Sequence, residues 1–119
     1  LARPGRPVVA VLGDGSSLYS IQALWTAAHL RLPIHFVIVN NRSYRIIKDR
    51  LVAMRGTDAF TGMDIRDPAI DFPALARGFG LAASEISEPA EIDAALRTAL
   101  SSPGPTLTAF AVDDGYGGR

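Results

Sequence analysis

The chain has 119 residues, 48% of them hydrophobic and 20% charged, with a formal net charge of zero. That composition fits one folded domain over residues 1–119 and gives no electrostatic case for nucleic acid or an anionic membrane as a partner. The absence of cysteine excludes disulfides, thiolate catalysis and Cys-based zinc sites, and the longest apolar runs are far too short to span a bilayer.

Leu1–Pro7 carries no hydrophobic signal segment, so a cytoplasmic protein is the expectation. The opening lacks Met and its Pro/Gly/Arg composition reads as a connector, while Asp113–Arg119 reads as a solvated, frayed tail. Both ends point to a piece of a longer protein.

In chain order, Val8–Leu12 is a continuous aliphatic run, the pattern of a strand covered on both faces. Ser16 or Ser17 can cap the following helix, whose stripe is Leu18, Ile21, Leu24-Trp25, Ala28 and Leu32, and Pro33 stops it. Trp25 lies on that stripe and is expected in the core. Ile34–Val39 is a second buried strand. Tyr44, Ile47 and Leu51 suggest a short amphipathic helix with Arg45, Lys48, Asp49 and Arg50 facing water. Ala53–Ile70 shows weak periodicity, and such a stretch in a small domain is functional or mobile. Asp71 caps a helix with Phe72, Leu75, Ala76 and Phe79, closed by Gly80. Leu81–Ile86 is a third strand, Ser87 opens a helix with the stripe Ile92, Ala95-Leu96 and Ala99-Leu100, and Thr106–Val112 is a fourth strand after Pro103-Gly104-Pro105. Strands alternating with helices imply an α/β fold: an open parallel sheet of about four strands with helices on both faces.

Two polar clusters end the first two strands, Gly13-Asp14-Gly15-Ser16 and Asn40-Asn41. Neighbouring parallel strands would bring a carboxylate and an amide oxygen to the carboxyl edge of the sheet, where open α/β sheets bind ligands. Hard oxygen ligands suit Mg²⁺ and leave positions for phosphate oxygens. Taken singly, each cluster reads equally well as a local turn. The dinucleotide fingerprint fails, because Leu18 stands where its third glycine belongs, and there is no Gly-Lys-Ser/Thr phosphate loop. His29 and His35 read as structural or surface residues. Tyr19 is ambiguous, either near a ligand or packed under the next helix.

Gly13-Asp14-Gly15, twenty-four residues, then Asn40-Asn41 resembles the cofactor signature of thiamine diphosphate-dependent enzymes. Tyr19-Ser20-Ile21, Ala23 to Ala28, Asp71-Phe72, Ala74-Leu75-Ala76 and Gly78-Phe79-Gly80 extend the resemblance over nearly the whole chain, most closely to the benzoylformate decarboxylase type of 2-keto acid decarboxylase. The resemblance implies a diphosphate-anchoring domain, with Mg²⁺ held by Asp14, Asn41 and the Ser43 carbonyl. It implies cofactor contacts from Gly13, Gly15, Ser16, Tyr19 and Tyr44, and Ile47 in the substrate pocket. Arg50 facing a substrate carboxylate is the weaker reading beside a solvated helix face. The implied reaction is decarboxylation of a small 2-keto acid to an aldehyde. The activating glutamate and the histidines would come from missing domains of the same chain and a second subunit, since Glu85, Glu88 and Glu91 match no such role. An acetolactate synthase-like carboligase and a noncatalytic α/β binding domain are the alternatives. Arg42 and Arg45 depart from the small residues of the pattern.

Overall fold

The computed structural model describes residues 5–116. The expected connector and tail therefore lie partly outside the described residues, at 1–4 and 117–119. Four parallel strands, β1 (Val8–Gly13), β2 (Ile34–Asn40), β3 (Ala82–Ile86) and β4 (Thr106–Ala111), form one sheet in the order β1-β2-β4-β3. The helices are α1 (Asp14–Ser17), α2 (Ala23–His29), α3 (Arg45–Arg55), α4 (Phe72–Gly78) and α5 (Ile92–Ser101), with a short 3-10 turn at Pro89–Glu91. No helix among the described residues is long and apolar enough to cross a membrane.

Strand periodicity divides the side chains of β2 and β4 between two faces. Phe36 pairs in register with Leu107 and Ile38 with Ala109. On this face they pack with Leu24 of α2, Phe72 and Ala76 of α4, and Leu81 to make the core. The opposite face carries His35 beside Thr106 and Val37 beside Thr108, against α5. There His35 Nδ1 and Thr106 Oγ1 lie 3.0 Å apart. Burial disfavours the charged imidazole and lowers the His35 pKa. His29 is exposed and Trp25 stacks on it, with ring centroids 4.8 Å apart.

Local chemistry explains several boundaries. The Asp71 carboxylate accepts the Ala74 amide at 2.8 Å and starts α4. Gly56 ends α3 in the left-handed conformation at φ 60°.

Several expectations are corrected. Val8, Val9 and Val11 are exposed: β1 is an edge strand, Val9 and Val11 lie on its α5-side face, which no described element covers, and Val8 lies at its start on the opposite face. Ser16 and Ser17 do not cap the first helix, which starts at Asp14 with Gly13 in the cap position, and Ser17 Oγ instead donates to the Asp14 carbonyl at 2.7 Å. Successive tight turns through Leu18–Gln22 separate α1 from α2. That break rotates Trp25 out of the core to 54% exposure, and Leu24 and Ala27 face inward instead. Ser87 caps nothing, because the chain enters α5 through the Pro89–Glu91 turn. The irregular stretch is shorter than expected, since α3 runs on to Arg55, and isolated bridges Ser43–Asp64 and Arg66–Ala69 organise the segment between α3 and α4.

Candidate cofactor site

The parallel pairing of β1 with β2 puts Gly13 level with Val39, so Asp14 and Asn40-Asn41 emerge side by side at the carboxyl edge. Asp14 is buried, with 4% exposure. One carboxylate oxygen accepts the Gly15 amide at 2.8 Å and the other accepts the Ser43 amide at 3.2 Å. The Asn41 side-chain oxygen accepts the same Ser43 amide at 3.0 Å. A single N–H therefore gathers the oxygens of both sequence clusters to one point. Asn40 acts locally instead. Its side-chain oxygen closes the turn on the Arg42 amide at 3.3 Å, and its carbonyl accepts the Val112 amide.

The turn bearing Ser43 is held from outside as well. The Tyr44 amide donates to the Met63 carbonyl at 2.9 Å, and the Ile65 amide donates to the Arg42 carbonyl at 2.8 Å. These bonds bracket Ser43, which is itself buried. Its carbonyl accepts no hydrogen bond from any described residue. A buried carbonyl without a donor is costly unless something else satisfies it.

The donor set fits a hard cation. No cationic side chain among the described residues pairs with Asp14, and no three His, Cys, Asp or Glu side chains gather into a metal cage. The groups present are one carboxylate, one amide oxygen and one unsatisfied carbonyl. That partial oxygen shell suits Mg²⁺ completed by phosphate and water.

A cavity of about 320 Å³ opens over these groups and takes in Gly13, Asp14, Gly15, Ser16, Asn41, Ser43 and Tyr44, with Val39 and Ile46 as apolar wall. The Tyr44 ring lies against Gly15, where an added Cβ would stand 2.5 Å from Tyr44 Cε1. Glycine is required there by the ring. Two expected residues stand elsewhere. Tyr19 is 87% exposed, does not line the cavity and does not pack under α2. Ile47 is half exposed and does not line this cavity, whereas Ile46 does. Arg50 is exposed, on the solvated helix face. A second cavity, about 760 Å³ between α5 and β3–β4, is lined mainly by Ala, Ser and Thr and holds none of this chemistry.

Sequence reasoning missed the group behind the turn. Lys48, expected in solvent, is fully buried on the inner face of α3. Its ammonium donates to Asp64 at 2.7 Å and to Asp114 at 3.1 Å. Arg66 adds a bond to Asp114 at 2.9 Å. Asp114, expected in a solvated tail, is also buried, and Tyr116 near it hydrogen-bonds Asp49. Burial disfavours the charged form of Lys48, but Asp64 and Asp114 outweigh it and raise its pKa. Burial likewise opposes ionisation of Asp114, and the Tyr116 amide, Lys48 and Arg66 override it, holding the carboxyl at about 2. The available signal was spacing: Lys48 stands four residues after Tyr44 and three before Leu51, on one helix face.

Residues 1–110 match the family model described as thiamine pyrophosphate enzyme, C-terminal TPP binding domain. Benzoylformate decarboxylase of Pseudomonas aeruginosa is 39% identical over 107 residues, covering 90% of this chain and 20% of that protein. A putative acetolactate synthase large subunit of Mycobacterium tuberculosis is 37% identical over 112 residues, covering 90% and 22%. Among solved structures, the thiamine diphosphate-dependent 4-hydroxybenzoylformate decarboxylase of Rhodococcus jostii superposes with a TM-score of 0.86 at 32% identity, over 94% of this chain and 21% of that one. The chain thus belongs to the thiamine pyrophosphate enzyme family, as its C-terminal cofactor-binding domain. The family's cofactor is thiamine diphosphate, with Mg²⁺ anchoring the diphosphate. The chain spans about a fifth of the length of the relatives it matches.

Proposed function

We propose that this domain anchors Mg²⁺ and thiamine diphosphate in a decarboxylase of aromatic, benzoylformate-like 2-keto acids. The observation that carries the reading is the convergence of Asp14 and Asn41 on the Ser43 amide, beside a Ser43 carbonyl left without a donor. In this reading Asp14, Asn41 and the Ser43 carbonyl hold the metal. Gly13, Gly15, Ser16 and Tyr44 shape the cavity around the diphosphate. When bound, the cofactor acts as the electron sink that makes loss of carbon dioxide from a 2-keto acid possible.

The chain's own residues contribute binding, orientation and exclusion of water. Asp14 sits in a buried carboxylate position, where charge attraction to a cation is screened less than at the surface. Tyr44 and Ile65 wall off Gly15, and Val39 and Ile46 give the cavity an apolar side. Ile47, close by on the same helix, is our candidate for contact with the substrate once other domains complete the pocket. The open stripe Val9, Val11 and Val39 is the face we assign to those domains and to a second subunit.

The relatives named for benzoylformate and 4-hydroxybenzoylformate decarboxylation support the substrate class. The acetolactate synthase relative, at nearly the same identity, supports carboligation as the second reading. Product analysis of the full-length protein with phenylglyoxylate, and separately with pyruvate, decides between them. Benzaldehyde and carbon dioxide are expected from the first. Acetolactate from pyruvate with no aldehyde from phenylglyoxylate would overturn the decarboxylase reading.

A further inference from the structure

The charge cluster behind the Ser43 turn, buried at Lys48 and Asp114, has no part in binding as described so far. It joins three separate stretches: Lys48 from the second turn of α3, Asp64 and Arg66 from the segment after α3, and Asp114 from the segment after β4. Two positive and two negative side chains balance within it. Lys48 is fully buried, and its ammonium also lies over the Phe60 ring at 5.2 Å and the Tyr116 ring at 5.6 Å. Such a cluster need not add stability, because apolar groups of similar volume often serve as well. Its contribution is geometry, and the geometry ends at the cofactor site. Asp64 is the residue bridged to Ser43, and the bonds flanking that bridge, Tyr44 amide to Met63 carbonyl and Ile65 amide to Arg42 carbonyl, fix the plane of the Ser43 peptide. The next residue, Tyr44, places its ring on Gly15.

We propose that Lys48 is a positioning residue for the metal turn: by clamping Asp64 and Asp114 it holds the 63–65 segment against residues 42–44 and so sets the unsatisfied Ser43 carbonyl at the point of the cavity it shares with the Asp14 and Asn41 oxygens. The inference rests on the reading of that point as the Mg²⁺ site. It assigns Lys48 no contact with cofactor or substrate. It also makes the segment after β4 part of the site at a distance, through Asp114.

The test uses the full-length protein in three forms: unaltered, Lys48→Met, and the charge-balanced pair Lys48→Met with Asp114→Asn. The pair retains the Arg66–Asp64 contact and carries no uncompensated buried carboxylate, so it is the form expected to fold if Lys48→Met alone does not. Calorimetric titration gives the Mg²⁺ midpoint at saturating thiamine diphosphate, and amide exchange is read at Tyr44 and Ile65. At least tenfold weaker Mg²⁺ binding is expected in the folded variants, with faster exchange at those two amides and unchanged exchange at the β2 and β4 core amides. A purely structural role would lower the melting temperature and leave the Mg²⁺ midpoint, measured well below it, where it was. Unaltered Mg²⁺ binding in the charge-balanced pair overturns this proposal alone. Failure of the unaltered protein to bind Mg²⁺ with thiamine diphosphate overturns the reading of the site, and the role of Lys48 with it.

Discussion

Gly15→Ala tests whether the site is built around the Tyr44 ring. The added Cβ would lie 2.5 Å from Tyr44 Cε1 and 2.9 Å from Cδ1, with Ile65 Cδ1 behind at 3.5 Å. Ordinary carbon contacts are about 3.5–4 Å, so the overlap is on the order of 1 Å. Relief must come from turning the ring about its side-chain torsions or from shifting the Tyr44 backbone, which is tied by its amide to the Met63 carbonyl and by its carbonyl to the Ile47 and Lys48 amides. Overpacking of this kind costs about 1–3 kcal/mol. Moving Tyr44 also moves Ser43, so Mg²⁺-dependent cofactor affinity should fall roughly 10- to 100-fold, equivalent to about 1.4–2.8 kcal/mol. Denaturant unfolding measures the first effect and calorimetric titration the second. A Tyr44→Leu change should destabilise on its own but recover most of the Gly15→Ala loss when the two are combined, a coupling of about 1 kcal/mol or more. Additive losses in the double variant would show that the ring is not the obstacle and that Gly15 is needed for another reason.

Asp14→Ala should weaken Mg²⁺-dependent cofactor binding at least about 100-fold, while Ser43 keeps its bond to Asn41 and the unfolding free energy drops by less than about 2 kcal/mol; wild-type affinity in titration would remove Asp14 from the metal shell. Phe72→Ala, at a side chain with 1% exposure in the core, should cost about 3–5 kcal/mol in denaturant melts. Trp25→Ala, on the outer face of α2, should cost far less, and equal losses would contradict the placement of α2. Acid should destabilise the fold in two steps. The lowered pKa of buried His35 means that the unfolded chain takes up its proton first, so stability begins to fall below about pH 6.5, and His35→Asn should flatten that step. Asp114 is held at about 2 against an ordinary 3.8, so its contribution, about 2 kcal/mol, is present above the ordinary value and lost as the pH drops toward 2. Unfolding curves of Asp114→Asn as steeply acid-sensitive as those of the unaltered chain would refute that assignment.

The legible part of the molecule was the part whose cause is local. Val8–Leu12 and Ile34–Val39 read as strands because each is a short, unbroken aliphatic run ended by turn residues, and the Asp71 cap read correctly because its partner amide is three residues away. Asp14 and Asn41 were legible as a pair because parallel neighbours separated by one crossover put their ends at the same edge. The core stripe of the first crossover was misphased at Trp25 because the chain breaks at Leu18–Gln22, where nothing in the apolar spacing signals a turn. Exposure of β1 was illegible for a different reason: an aliphatic run reports that a face is suited to burial, not which element covers it.

Lys48 marks the limit of pattern reading most clearly. On hydropathy alone α3 has its inner face at Tyr44, Ile47 and Leu51, yet the buried position is Lys48 and Ile47 is half exposed. A buried ammonium is ruled out by any local rule, since its desolvation cost is several kcal/mol. It becomes possible only when two carboxylates arrive, one 16 and one 66 residues further along the chain. The rotation of α3 follows from that encounter. With Lys48 turned inward, Ile46 comes to the cavity wall and Ile47 does not, so a pairing behind the site bears on which side chain lines it. Charge partners remote in sequence thereby set both the phase of the helix and the wall of the site, and a reading that assigns every lysine to solvent will place the neighbouring apolar residues one step out of register.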